Sequence, residues 1–397
     1  MNLTSPGRRW TVPVAVGAVV IAAFAAPPLI ASAGQDRLPD VTAEQLLAAV
    51  AGAQPVPLQG TVVYTARLGL PELPLAEIGG ADPIALLGGS STLRLWSDGE
   101  SRSRVALHGS TSEYSVVRDG TEAWTYSSAD DEVVHYTLSP QDQALLESVP
   151  EVVGDLPTPE AAAEQVLSRA EEFSTVSVDG ATTVAGRGAY QLVVSPRQTG
   201  SLVARVVIAV DAETSTPLRV QVWSTQDPDV PALEVGFTDV EMTAPDPSVL
   251  DFSTPAGAAE RDVVVPLPDH SGQGMGAEGM GAQGMAPGTT VTGVGWETVV
   301  EVAGLDVAAL VSGDPAALAD LPGAERTIGS ESGQALIEEF SGKGGEMDLD
   351  TGALYDQLTT AVPEGRLLAS TLLSILVTED GRVLVGAVPA EILRAMA

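Results

Sequence analysis

Apolar and polar residues alternate with a period of two from Gln59 to Leu138. Such alternation marks strands with one face buried and one facing water. The runs are Thr61–Arg67, Thr92–Ser97, Arg102–His108, Glu113–Arg118, Thr121–Tyr126 and Glu132–Leu138. Asp98-Gly99 and Asp119-Gly120 sit between them. Asp-Gly favours a tight turn because glycine accepts positive φ, so the pattern predicts an antiparallel meander. A second set of strands is expected at Thr175–Val178, Thr182–Ala185, Ala189–Ser195, Leu202–Val210, Leu218–Ser224 and Leu233–Val240.

Helical spacing appears in two places before these sets. Thr42-Ala-Glu-Gln45 has the spacing of a capping box, and Ala43, Leu46, Leu47 and Val50 then share a face. Thr158-Pro159 opens a second helix, with Ala163, Val166, Leu167, Ala170 and Phe173 as its stripe. The stretch Leu70–Gly89 is apolar but broken by Pro71, Pro74 and Pro83, and reads as a long loop with a helical turn. A sheet of roughly a dozen strands without crossover helices tends to curl or close.

Prolines 245, 247 and 255 end the regular pattern. Residues 259–290 read as a linker rich in Gly, Met and Pro. The C-terminal segment, 291–397, begins with a strand in Val294–Val302. Helices are expected near Gly333–Phe340 and Gly352–Val362, then a hairpin over Ser370–Val388 turning at Asp380-Gly381, and a short helix Glu391–Met396.

The N-terminus changes the picture of where the chain works. Arg8 and Arg9 precede an apolar run, Val12–Ile30, and no further charge occurs until Asp36. That is the layout of an export signal, and Ala31-Ser32-Ala33 fits the small-x-small cleavage rule. The alternative is an uncleaved anchor, since the run is about one membrane span long, roughly 20 residues. Residues 1–33 are thus a signal peptide or membrane anchor, and the rest is extracytoplasmic, secreted or anchored to the cytoplasmic membrane.

Composition narrows the chemistry. The chain has no Cys, which excludes disulfides, thiolate metal sites and a Cys nucleophile. A formal net charge of −34 repels nucleic acid and anionic headgroups, so no nucleic-acid partner is expected. Two overlapping G-x-G-x-x-G matches, Gly274–Gly279 and Gly279–Gly284, lack the flanking strand and helix of a dinucleotide site. Met275, Met280 and Met285 recur every five residues, with His270 upstream; thioethers suit Cu(I), but this spacing reads as a tether. His108, His135 and His270 are scattered, Gly329–Gly333 has Glu where a nucleophilic Ser would stand, and no phosphate-binding loop is present. The expectation is a protein without cofactor, metal or catalytic residues. Trp96, Trp124 and Trp223 read as packing residues, the alternative being an aromatic edge around a ligand cavity.

Several stretches together carry a family likeness. Leu93–Gly99 followed by Arg102-Ser-Arg104 looks like a strand pair, and Val117–Gly120 with Ala123–Tyr126 a D-G…W-x-Y hairpin. Gly186–Leu192 has the form G-x-x-x-Y-x-L. Ile208–Asp211 with Thr214, Pro217 and Leu218 forms a D-x-x-T-x-x-P-L hairpin, and Phe237–Val240 and Phe252–Gly257 close the series. Over residues 36–258 this order resembles the LolA/LolB-type lipoprotein-carrier superfamily, including its MucB/RseB sensor branch. The resemblance implies a fold that is α+β and mainly β: a half-open antiparallel β-barrel of about 11 strands with a helical lid, plus a small C-terminal α/β segment. It implies an apolar cavity taking the acyl chain of a lipid or lipoprotein, in a monomer. In the sensor branch it implies contact with a membrane anti-sigma factor. The candidate cavity-lining residues are Val62, Tyr64, Leu93, Leu95, Val105, Leu107, Tyr190, Leu192, Val206, Ile208, Val220 and Val222.

Overall fold

The computed structural model describes residues 38–70, 81, 86, 88–138, 173–265, 288–307 and 351–397. The export segment, the helix expected from Thr158, most of the Leu70–Gly89 loop, the Gly/Met tether and the helix expected near Gly333 lie outside the described residues.

Helix α1, Ala43–Ala51, starts as its sequence predicts. Thr42 Oγ1 accepts from the Gln45 backbone N–H at 3.2 Å, and Gln45 Oε1 accepts from the Thr42 backbone N–H at 2.9 Å. Two backbone donors that the helix cannot satisfy are thereby paired. Leu46 and Val50 are the buried residues of its apolar stripe.

Twelve strands form one sheet: β1 Leu58–Ala66, β2 Gly89–Ser97, β3 Arg102–His108, β4 Glu113–Asp119, β5 Glu122–Ser127, β6 Glu132–Leu138, β7 Ser174–Val184, β8 Arg187–Pro196, β9 Val203–Asp211, β10 Pro217–Ser224, β11 Leu233–Glu241 and β12 Ala259–Val265. Their order is β12-β6-β5-β4-β3-β2-β1-β11-β10-β9-β8-β7. Every pair is antiparallel except β12 with β6. The sheet does not close, because β12 and β7 stand at its two ends. The mainly β sheet is what the alternating pattern predicts, and its half-open form is what the resemblance implies.

Two elements differ from the sequence reading. β7 is one strand rather than two, interrupted by a register shift between Val178 and Ala181. Residues 259–265, expected at the head of the linker, form β12 and pair in parallel with β6. Parallel pairing needs a long connection and leaves no hairpin signal in the local sequence.

The tight turns follow their residues. At Asp98-Gly99, Gly99 has φ +78°, and a Cβ there would stand 2.6 Å from the Pro57 nitrogen. Asp98 Oδ1 accepts from the backbone N–H groups of Glu100 and Arg102. The sheet also curls. β7 and β11 are four places apart, which in a flat sheet is about 19 Å, yet their Cα atoms approach within 8 Å.

Helix α2, Pro247–Leu250, follows β11 and packs against β2, β3 and β4. A second sheet of six strands follows: β13 Thr289–Thr292, β14 Val299–Val302, β15 Thr360–Val362, β16 Gly365–Ala369, β17 Ser374–Thr378 and β18 Val383–Gly386, in the order β13-β14-β18-β17-β16-β15. It carries α3, Thr351–Leu358, and α4, Ala390–Met396, and has its own core of Val299, Leu376, Leu384, Val388 and Leu393.

Candidate functional site

Cross-strand register decides which side chains share a face, because residues directly opposite in a sheet point to the same side. Leu107 pairs with Leu93, Leu93 with Val62 and Leu95 with Val105. Tyr64 pairs with Val235, and Val235 with Val220. Val220 pairs with Ile208, Val222 with Val206, and Ile208 with Leu192. Tyr190 stands two residues from Leu192 on β8. All twelve candidates therefore lie on one face, running from β3 to β8.

No Asp, Glu, Lys or Arg of these seven strands shares that face. The opposite face carries Arg94, Arg104, Arg205, Arg219 and Glu234. The apolar face is the inner one of the curl, because Val176 and Val178 of β7 and Leu233 of β11 pack in the same cluster.

Two adjoining clusters cover this face. Val62, Tyr64, Leu93 and Leu107 pack with Phe237, Ala81 and Leu86, and Leu95 and Val105 lie against them. Leu192, Val206 and Ile208 pack with Leu46 and Val50 of α1, while Tyr190, Val220 and Val222 lie against them. Leu68 and Leu233 touch both clusters and join them. Leu93 and Leu192 are 0% exposed, whereas Leu95, Val105, Tyr190, Val220 and Val222 are half-buried. The structure thus brings the twelve residues together on one covered surface.

Sequence reasoning did not anticipate what closes this surface. Leu372, Trp296 and Ala387, all C-terminal to the tether, pack on the β8–β10 cluster. Backbone and side-chain bonds hold them: Thr371 N–H donates to Leu68 O at 2.8 Å, and Leu202 N–H to Ala387 O at 2.8 Å. Trp296 Nε1 donates to Ser174 Oγ at 2.8 Å. No local pattern reveals contacts between segments this far apart in the chain.

Tyr64 is the unusual member. It is 1% exposed, and among the described residues its hydroxyl has no hydrogen-bond partner. Burial pushes the phenol well above its ordinary value. The Tyr190 hydroxyl, by contrast, donates to the Pro39 carbonyl at 3.0 Å.

The family-like motifs have structural reasons. Asp211 closes the β9–β10 turn, accepting from Thr214 N–H, Thr214 Oγ1 and Glu213 N–H. Arg187 Nε and Nη2 grip the same carboxylate at 2.6 and 2.9 Å. Burial alone would raise the Asp211 carboxyl; the bonds from Arg187 and Thr214 more than offset it and hold it below its ordinary value. Trp124 stacks on His135 at 4.8 Å and on Phe252 at 5.6 Å, on the outer face. His135 Nδ1 meets Asp262 Oδ1 at 3.0 Å, which ties β6 to β12. Trp96, Trp124 and Trp223 all stand on the face opposite the twelve candidates. Among the described residues, no three His, Asp or Glu side chains are grouped to hold a metal ion.

The face and the fold define a half-open, mainly antiparallel sheet whose inner surface, from β3 to β8, carries no charged side chain and lies under a helix. The sequence matches no protein-family model and no curated protein. Among solved structures, the chain is similar to the MucA/MucB complex of Pseudomonas aeruginosa, at 16% identity over 89% of this chain and 96% of that one, with a TM-score of 0.41. A second structure of MucB in complex with MucA(peri) gives 16% identity, 88% and 94% coverage and a TM-score of 0.40. A LolA superfamily protein from Nitrosomonas europaea gives 11% identity, 54% and 99% coverage and a TM-score of 0.21.

Proposed function

We propose that this chain is an extracytoplasmic binding protein that holds an acyl chain, from a lipid or a lipidated protein, on the inner face of the large sheet, without catalysis. The observation that supports this most is the sorting of charge. Seven successive strands present only uncharged, mostly aliphatic residues inward, while arginines and acids stand on the other side. Burying each acyl CH₂ contributes roughly 0.8 kcal/mol, so an aliphatic surface is enough for affinity. The N-terminal segment, read as an export signal or a membrane anchor, supports a site of action outside the cytoplasm.

Leu93, Leu192 and Ile208 are at most 1% exposed, so a ligand reaches the face only when a covering element gives way. Helix α1 and the loop around Leu372 are the covers that the clusters identify.

The test is solvent extraction of the exported protein, purified without detergent, followed by mass spectrometry. An acyl lipid near one per chain is the expected result. A chain that carries no lipid and takes up no long-chain fluorescent fatty acid overturns the proposal.

A further inference from the structure

Tyr64 is out of keeping with its surroundings. Its neighbours on the inner face are Val62 and Ala66 along β1, Val235 across β11 and Ser91 across β2. A phenol buried in such a field normally finds an acceptor, because an unpaired hydroxyl keeps its desolvation cost with no return. Other polar groups nearby are paired: Thr65 Oγ1 meets Ser90 Oγ at 3.0 Å, and Ser90 Oγ donates to the Tyr64 carbonyl at 3.2 Å. Among the described residues of the inner face, the Tyr64 hydroxyl alone is buried without a partner. A phenylalanine would fill the same volume without that cost. The hydroxyl is thus a donor presented to the one surface on which this chain is read to hold a ligand.

We propose that Tyr64 is the polar anchor of the inner face, its hydroxyl donating a hydrogen bond to the carbonyl oxygen of a bound acyl ester or amide, with Ser91 facing the same side across the β1–β2 pair. The proposal rests on the acyl-binding reading given above and deepens it: the ligand class becomes a chain with a carbonyl, rather than a plain hydrocarbon. Register places the anchor near the middle of the apolar field, between the β2–β3 residues and the β8–β10 residues. Apolar chain can then extend from the carbonyl toward both clusters.

The experiment uses the full chain and a fluorescent apolar probe displaced by either of two competitors of equal carbon count, a long-chain fatty acid methyl ester and the corresponding alkane. Wild type is expected to prefer the ester by roughly tenfold, the value of one neutral hydrogen bond. Tyr64→Phe is expected to lose the ester preference and bind the two competitors alike, with a higher Tm in the unliganded state. A second measurement needs no variant: the infrared carbonyl stretch of the ester, isotope-labelled at the carbonyl carbon, shifts to lower wavenumber on binding wild type relative to its value in alkane solvent. Retention of the ester preference in Tyr64→Phe, or an unshifted carbonyl band in wild type, overturns the anchor while leaving the acyl-binding reading in place. Failure of both competitors to displace the probe overturns both.

Discussion

At the scale of single residues, close approach and buried charge set the sharpest constraints. Gly60 is opposite Val240 in the β1–β11 ladder, and a Cβ there would stand 2.4 Å from the Asp239 carbonyl oxygen and 2.9 Å from Phe237 Cδ1. Gly60→Ala therefore forces the two strands apart, and a loss of roughly 1–3 kcal/mol is expected in urea unfolding. Asp211 gives a pH signature. Its carboxyl is held below the ordinary value, so its stabilisation is fully present above the unfolded carboxylate range and is lost as pH falls through the lowered folded value. Asp211→Asn is expected to cost about 1.5–3 kcal/mol at pH 7. The gap between variant and wild type should close as pH falls through and below about 4, where the unfolded carboxyl titrates. A gap that is constant from pH 7 to pH 3 contradicts this account. The Asp-Gly turns were legible in the sequence because they depend on local backbone freedom. The grip of Arg187 on Asp211 was not, since it joins residues 24 apart across a hairpin, and nothing in the sequence marks Tyr64 as the phenol left without a partner.

At the scale of elements, α1 and the β2–β6 meander were readable because each depends on near neighbours: a cap three residues away, or a strand one turn away. Removing the cap by Thr42→Ala should cost about 1 kcal/mol and speed amide exchange in the first turn of α1. Releasing its apolar stripe by Leu46→Ala should do more. It uncovers the β8–β10 half of the inner face and is expected to raise the on-rate of an acyl probe several-fold, read by stopped-flow fluorescence. An unchanged on-rate would show that access lies elsewhere. The strand β12 and the single long β7 were not readable. The first pairs in parallel with a strand more than 100 residues earlier, and the second hides an irregularity at Gly180, whose φ is +63°.

At the scale of the whole molecule, alternation shows that each strand has two faces but not which faces are joined. The register supplied that: twelve residues chosen from six strands fall on one surface, and the charged residues of those strands fall on the other. The small sheet closes that surface through Trp296, Leu372 and Ala387, an arrangement no local pattern encodes. Trp296→Ala removes both an apolar contact and the bond to Ser174, and should loosen this closure more than Trp296→Phe, as read by limited proteolysis. The central claim is that the inner face accepts an acyl chain. Its most direct test is a fatty acid carrying a photoreactive group at the chain end, crosslinked to the full-length protein and located by peptide mass spectrometry. Crosslinks at inner-face positions such as Val62, Leu93, Ile208 or Val220 are the predicted result; crosslinks confined to the outer face around Arg205 and Trp223, or none at all, contradict it.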